Sequence, residues 1–298
     1  MVAALSVLAG CSAQPAAHVT VASTHASIAT QTTRIVDVAA LNSALAALEK
    51  QYGARVGIQA VDTGAGTTYG YRASERFALD STSKLFTSGA VLQHATDADL
   101  AAVVHYDASQ LQSYSPVTSQ HVKSGMPLSD VITAALQYSD NTAANLLFEQ
   151  LGGPAAAQTQ VRTWGDRVTN LDRTEPDLNT AIPGDPRDTS TPQQVAEDLK
   201  SLTLGHTLPA ERRQFLVDTM LGNTTGGPYI RAGVPSSWRV ADKTGSGGYG
   251  SRNDVAVLYP AGAKPIVLAV YTTRSTQDAA SDDGLIAAAT KLVVAALS

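Results

Sequence analysis

Five strand-like runs lie at the two ends of this 298-residue chain, and residues 78–220 between them read mainly as helix and loop. Near the start, ARVGIQAVD alternates apolar and polar residues, TGAG turns, and TTYGYR returns as the second arm of a hairpin. Near the end come SWRVADKTG, NDVAVLYP and KPIVLAVYTT, joined by short connections. Leu41, Leu45, Leu48 and Tyr52 recur at helical spacing before Gly53, and the amphipathic DGLIAAATKLVVAAL closes the chain, so a helix flanks each group of strands. Strands joined by short turns pair antiparallel, and the simplest way to complete them is one sheet built from both ends. The predicted fold class is therefore α/β plus all-α: a five-stranded antiparallel sheet flanked by terminal helices, with an inserted all-helical lobe. Residues 36–77 and 221–298 would make the α/β lobe and 78–220 the helical one. LSDVITAALQYSDNTAANLLFEQLG and TPQQVAEDLKSLTLG are its clearest helical stretches. A cleft between two such lobes is a common place for a small-molecule site.

A net charge of −5 offers no basic patch for nucleic acid, and no apolar run approaches the roughly 20 residues that cross a bilayer. The single cysteine, Cys11, cannot form an internal disulfide. It follows Leu8-Ala9-Gly10 after a short apolar run, which resembles the lipobox of bacterial lipoproteins, where the cysteine is lipidated. The alternative is the tail of an ordinary secretory signal. Either way the chain is expected to be exported, with residues 1–35 as signal and flexible tether. No Lys or Arg precedes Arg34, whereas a signal has a basic n-region, which leaves a start upstream of Met1 open.

The stretch ADKTGSGGYGSRND contains Gly245, Gly247 and Gly250 in the G-x-G-x-x-G spacing of a dinucleotide loop. Such a loop follows a strand and opens a helix early in a βαβ unit. Here another strand follows, late in the chain, so the glycines make a turn and no nucleotide cofactor is expected. His94, His105, His121 and His206 show no ligand spacing, so no metal is expected either.

Three other clusters can do chemistry. Ser81 and Lys84 are three apart at the start of an apolar helical pattern, so both side chains share one face. A serine there sits in the positive field of a helix N-terminus, and a nearby lysine of lowered pKa can take its proton. Ser139-Asp140-Asn141 and Lys243-Thr244-Gly245 are the others. Each alone reads as a cap, a helix start or a strand end; the three in this order do not.

The set resembles that of class A serine β-lactamases, and the resemblance covers nearly everything after residue 36. YSPVT, from Tyr114, resembles the family's cleft-wall segment, and RTEPDLN, with Glu175 and Asn179, resembles its omega loop, here 173–188. Arg173 and Asp188 stand where the family closes that loop with an ion pair. What the resemblance implies is hydrolysis of penicillins and cephalosporins through an acyl-enzyme on Ser81. Lys84, or Glu175 through a water, would take the serine proton, and Ser139 would relay one to the lactam nitrogen. Backbone N–H groups of Ser81 and Ser246 would form the oxyanion hole. Lys243, Thr244, Ser246 and Arg252 would hold the substrate carboxylate, Asn141 its acylamino group, and Tyr114 would flank it. Glu175 and Asn179 would activate the deacylating water. The resemblance further implies a monomer whose partners are small β-lactams, apart from a lipid anchor at Cys11. The alternatives are a penicillin-binding D,D-peptidase and a β-lactam sensor that stays acylated; Glu175 and Asn179, a deacylation apparatus that the resemblance places in lactamases, weigh against both.

Three residues depart from the family pattern: Ser83, Thr174 and Asp80. A carboxylate at Asp80, directly before Ser81, would either disfavour the oxyanion or pair with a neighbouring cation.

Overall fold

The computed structural model describes residues 1–4 and 36–297, so the Cys11 expectation lies outside the described residues. Five strands form one antiparallel sheet: β1 (Arg55–Asp62), β2 (Thr68–Tyr71), β3 (Arg239–Ser246), β4 (Arg252–Tyr259) and β5 (Ile266–Thr273). Their spatial order is β2-β1-β5-β4-β3. The two ends of the chain join at the β1–β5 seam, in register from Arg55 opposite Thr273 to Asp62 opposite Ile266.

The longer helices are α1 (Val38–Tyr52), α2 (Ser83–His94), α3 (Leu128–Gln137), α4 (Asn141–Leu151), α5 (Pro154–Thr163), α6 (Pro192–Thr203), α7 (Ala210–Leu221) and α8 (Gly284–Leu297). The Asp37 carboxylate accepts the Ala40 N–H at 3.0 Å to start α1, and Gly53, at a left-handed φ of 56°, ends it.

Side-chain alternation sends successive strand residues to opposite faces. Val56, Ile58, Ala256, Leu258, Leu268 and Val270 pack with Leu45 of α1 and Ile286 and Val293 of α8. Their neighbours Val255, Val257, Val267, Ala269 and Tyr271 join a second core with Phe86, Leu136, Leu147, Leu199 and Leu216 from the helices between β2 and β3. The strands are apolar on both faces because helices cover both. Each fully buried Leu or Val contributes about 1.5–3 kcal/mol.

At Gly57 in β1 a Cβ would stand 2.9 Å from Pro192 Cγ and overlap the Phe77 ring, so α6 approaches the sheet this closely only over a glycine. The whole run Ser83–Leu92 of α2 is buried, which makes it the central helix and fixes its N-terminus. The long stretch read as helical from Leu128 is in fact two helices. It breaks at Tyr138–Asp140, where Ser139 adopts a φ of 56°, so that Ser139-Asp140-Asn141 turns the chain.

Asp198 on α6 meets Asp166, and each keeps one buried oxygen without a hydrogen-bond partner among the described residues. Burial, reinforced by the Asp166 charge, pushes Asp198 up to about 8. A raised carboxyl pKa stabilises the fold below the ordinary range near 4, and that stabilisation is lost as pH rises through about 8. Asp198→Asn is therefore expected to raise the melting temperature by several degrees at about pH 9 and to change it little at about pH 5. Parallel melting curves for parent and variant across that range would contradict the assignment.

Candidate active site

Ser81 sits in a single 3-10 turn, Asp80–Thr82, that leads into α2, and Lys84 follows within the first turn. The Lys84 ammonium is 2.7 Å from Ser81 Oγ and 2.6 Å from Glu175 Oε1, and it reaches Asn141 Oδ1 at 2.7 Å and the Ser139 carbonyl at 3.0 Å. Ser81 Oγ is itself 3.4 Å from Glu175 Oε1. Burial pulls Lys84 below the ordinary lysine range, while the Glu175 carboxylate opposes the shift.

Ser139 stands between two ammonium groups: its Oγ accepts from Lys243 Nζ at 3.0 Å and lies 3.4 Å from Lys84 Nζ. Burial and the Lys84 charge both push Lys243 well below its usual pKa. Lys243 also donates to the Thr244 carbonyl at 2.7 Å. The turn is held by the buried Asp140, whose carboxylate caps α4 through the Ala143 N–H at 2.9 Å. It also accepts from the Thr118 N–H at 2.9 Å and the Val117 N–H at 3.0 Å, pinning the segment that carries Tyr114. Tyr114 is 62% exposed on the rim, and its carbonyl accepts the Asn141 N–H at 3.0 Å. The Asn141 amide donates to the Ser113 carbonyl at 2.9 Å, so both its ends are engaged.

Glu175 comes from the loop between α5 and α6, through a cis Glu175–Pro176 peptide. Asn179 Nδ2 donates to Glu175 Oε2. Asn145, one helical turn beyond Asn141, clamps the loop backbone from α4. It accepts the Glu175 N–H at 2.8 Å and donates to the Glu175 carbonyl at 2.9 Å. The loop closes through Arg173 Nε and Asp188 Oδ2 at 2.6 Å, and Asp188 Oδ1 accepts the N–H groups of Asp172 and Arg173 at 2.8 and 2.9 Å. The Asp188 carbonyl accepts the Leu79 N–H at 2.8 Å, tying the loop to the segment before Ser81.

On β3 the Thr244 hydroxyl lies 2.6 Å from that of Thr225, and Ser246 is exposed at the strand end, opposite Arg252 on β4. Arg252 pairs with Asp283 at 3.1 Å. Ser81, Lys84, Ser139, Asn141, Glu175, Asn179, Lys243 and Thr244 thus form one connected polar network, with Ser246 and Arg252 at the β3–β4 end and Tyr114 on the rim. Sequence reasoning missed Asn145, Thr225 and Asp283. The spacing of Asn145 from Asn141, which shares a helix face, was the one available signal.

The departures also find places. Ser83 is buried and its hydroxyl has no partner among the described residues, while the Thr174 carbonyl accepts the Leu178 N–H at 3.1 Å inside the loop. Among the described residues Asp80 pairs with no cation: it accepts from Ser251 Oγ at 2.7 Å and Asn253 Nδ2 at 2.8 Å. A cavity of about 980 Å³ lies on the far side of the 173–188 loop, lined by Arg55, Arg72, Arg187 and Arg274. Ser81, Lys84 and Lys243 do not line it, so the chemistry is placed by the polar network and not by cavity size.

A hydroxyl in contact with a buried amine of depressed pKa and with a carboxylate can lose its proton to the pair, which makes Ser81 a nucleophile. The carboxylate, held by an amide and a clamped backbone, can afterwards take a proton from water.

Residues 40–297 match the Beta-lactamase enzyme family. The chain is 48% identical over 256 residues to beta-lactamase 3 of Bacillus cereus, covering 86% of this chain and 81% of that one. It is 49% identical over 251 residues to beta-lactamase CTX-M-8 of Citrobacter amalonaticus, covering 84% and 86%. Among solved structures it is similar to a class A beta-lactamase from Clostridium kluyveri, with a TM-score of 0.85 and 44% identity over 86% of this chain and 98% of that one. A beta-lactamase from Desulfarculus baarsii superposes with a TM-score of 0.87 at 49% identity, over 89% and 99%.

Proposed function

Because the chain belongs to the β-lactamase enzyme family, we propose that it hydrolyses the lactam amide of penicillins and cephalosporins through a covalent Ser81 acyl-enzyme. The observation that carries this reading is the contact of one serine hydroxyl with both a lysine and a glutamate, 2.7 Å from Lys84 Nζ and 3.4 Å from Glu175 Oε1.

Ser81 Oγ attacks the lactam carbonyl carbon, and the Lys84–Glu175 pair takes its proton. Lys84 Nζ and Glu175 Oε1 are 2.6 Å apart, within hydrogen-bond reach of each other. The backbone N–H groups of Ser81 and Ser246 receive the oxyanion. The C–N bond then breaks, and Ser139 passes a proton to the departing nitrogen and is resupplied by Lys84 with the proton that left Ser81. Lys243, Thr244, Ser246 and Arg252 hold the substrate carboxylate by charge and hydrogen bonds. Asn141 and Tyr114 meet the acylamino side. For deacylation a water held by Glu175 and Asn179 gives its proton to Glu175 and attacks the ester, and Ser81 leaves with the returned proton. The domain reading that accompanies this places the site between the 78–220 helices and the α/β part.

Purified protein mixed with a chromogenic cephalosporin is expected to turn over many equivalents. A single stoichiometric burst would contradict hydrolysis and favour a sensor that stays acylated. D-Ala-D-Ala cleavage without lactam turnover would favour a peptidase.

The proposal extends to export of a monomer, with Cys11 either lipidated or removed with a signal; Leu8-Ala9-Gly10-Cys11 supports it. Radiolabelled palmitate incorporated by the parent and lost in Cys11→Ala would establish the anchor, and no label in either would dismiss it.

A further inference from the structure

Asp80 precedes the nucleophile, is fully buried, and holds a left-handed φ of 47°. Its two oxygens differ. Oδ2 accepts from Ser251 Oγ and Asn253 Nδ2 at 2.7 and 2.8 Å, whereas buried Oδ1 has no hydrogen-bond partner among the described residues. Two donors on one oxygen and none on the other suit a neutral acid better than a carboxylate, because an enclosed ionised oxygen without a donor costs more than an unpartnered hydroxyl.

Oδ1 is aimed at the β3–β4 turn. A Cβ on Gly247 would overlap it, and the Asn179 carbonyl crowds the same point. That carbonyl also accepts the Gly248 N–H at 2.9 Å. Asp80 is therefore where the nucleophile turn, the end of β3 and the loop carrying Glu175 meet. Lys84 and Arg252, two nearby cations, form ion pairs with Glu175 and Asp283, at 2.6 and 3.1 Å, and neither forms one with Asp80, although Lys84 feels its charge. Glu175 faces Asp80 and opposes its ionisation, Arg252 favours it, and Tyr271 feels its field.

We propose that Asp80 is a positioning residue that supports lactam hydrolysis only as a neutral acid, its ionisation turning the site down by placing a negative charge beside the oxyanion position. The inference rests on the hydrolase reading above. Burial pushes the Asp80 carboxyl up to about 7, with Ser251 and Asn253 holding it back and Glu175 adding to the rise. Below that value the acid is neutral and the site works; as pH rises through it, the charge appears and kcat/KM falls.

Asp80→Asn replaces the acid by an isostere that cannot ionise: its carbonyl can accept from Ser251 and Asn253, and its NH2 takes the place of Oδ1. For a chromogenic cephalosporin, kcat/KM of the parent is expected to fall roughly 25-fold from about pH 6.5 to about pH 8.5. The variant keeps the acid-side value within about threefold and its alkaline limb moves up by about one pH unit or more. An alkaline limb identical in parent and variant would overturn the proposal. A second measurement needs neither the variant nor turnover: the ¹³Cγ shift of Asp80, assigned through bonds in the unliganded parent. A midpoint above about 6 supports a neutral acid, and one in the usual aspartate range near 4 overturns it. A parent that failed to hydrolyse lactams would defeat the hydrolase reading and leave this titration to decide the protonation of Asp80.

Discussion

Glu175→Ala is expected to stop the enzyme after its first chemical step. Intact-protein mass spectrometry after mixing with benzylpenicillin should show one added lactam mass that persists for minutes, while kcat falls by about 10³-fold or more. The Glu175 side chain is fully buried, fixed by Asn179 at one oxygen and by Lys84 at the other, with its backbone held at both N–H and carbonyl by Asn145. No other described carboxylate reaches Ser81 Oγ in the hydrogen-bond network, so nothing replaces it as the base for water. Acylation is expected to slow less, because Lys84 keeps its 2.7 Å contact with Ser81. Hydrolysis at the parental rate would remove Glu175 from deacylation. Loss of both adduct and turnover would instead make it the acylation base.

Asp188→Ala should have the second largest effect, on the loop that presents Glu175. Asp188 accepts from Arg173 Nε and from two backbone N–H groups, and the Arg173 side chain is only 18% exposed. Removing one partner of a buried pair leaves the other charge uncompensated, at about 3–5 kcal/mol. If the loop stays cooperative with the rest, that corresponds to a melting temperature lower by roughly 10 °C. If the loop opens locally, its amides at 172–188 exchange faster and the acyl-enzyme lasts longer, because Glu175 is no longer held over Ser81. A variant with parental melting, parental exchange and parental deacylation would show that the pair does not brace the loop.

The late strands were legible as short apolar runs bounded by turns, such as residues 255–258, in which Val255 and Val257 face one core and Ala256 and Leu258 the other. The central cluster was legible as three short motifs, yet only resemblance brought them together. No local signal places Lys243 3.0 Å from Ser139, a separation of 104 residues. The break at Tyr138–Asp140 was only half legible: Ser139-Asp140-Asn141 reads as a helix start, yet apolar spacing continues across it. What stops the helix is the Asp140 carboxylate accepting from Val117 and Thr118, a tertiary contact. Asn145 reads in sequence as an ordinary polar helix residue, and its task is set by a loop 30 residues further on. At Asp80 the sequence allows two readings, and the structure adds a third: Ser251, just before β4, and Asn253 on it place two neutral donors on one oxygen from more than 170 positions away. Arg252 was expected toward the substrate, and nothing in the local sequence announced its ion pair with Asp283, 31 residues later.

The most direct measurement is a crystal structure of Glu175→Ala soaked with benzylpenicillin. Continuous density should run from Ser81 Oγ into the opened lactam carbonyl, with the carbonyl oxygen between the N–H groups of Ser81 and Ser246 and the carboxylate against Lys243 and Thr244. Density for the ligand elsewhere, or a lactam at this place with no bond to Ser81, would contradict the mechanism.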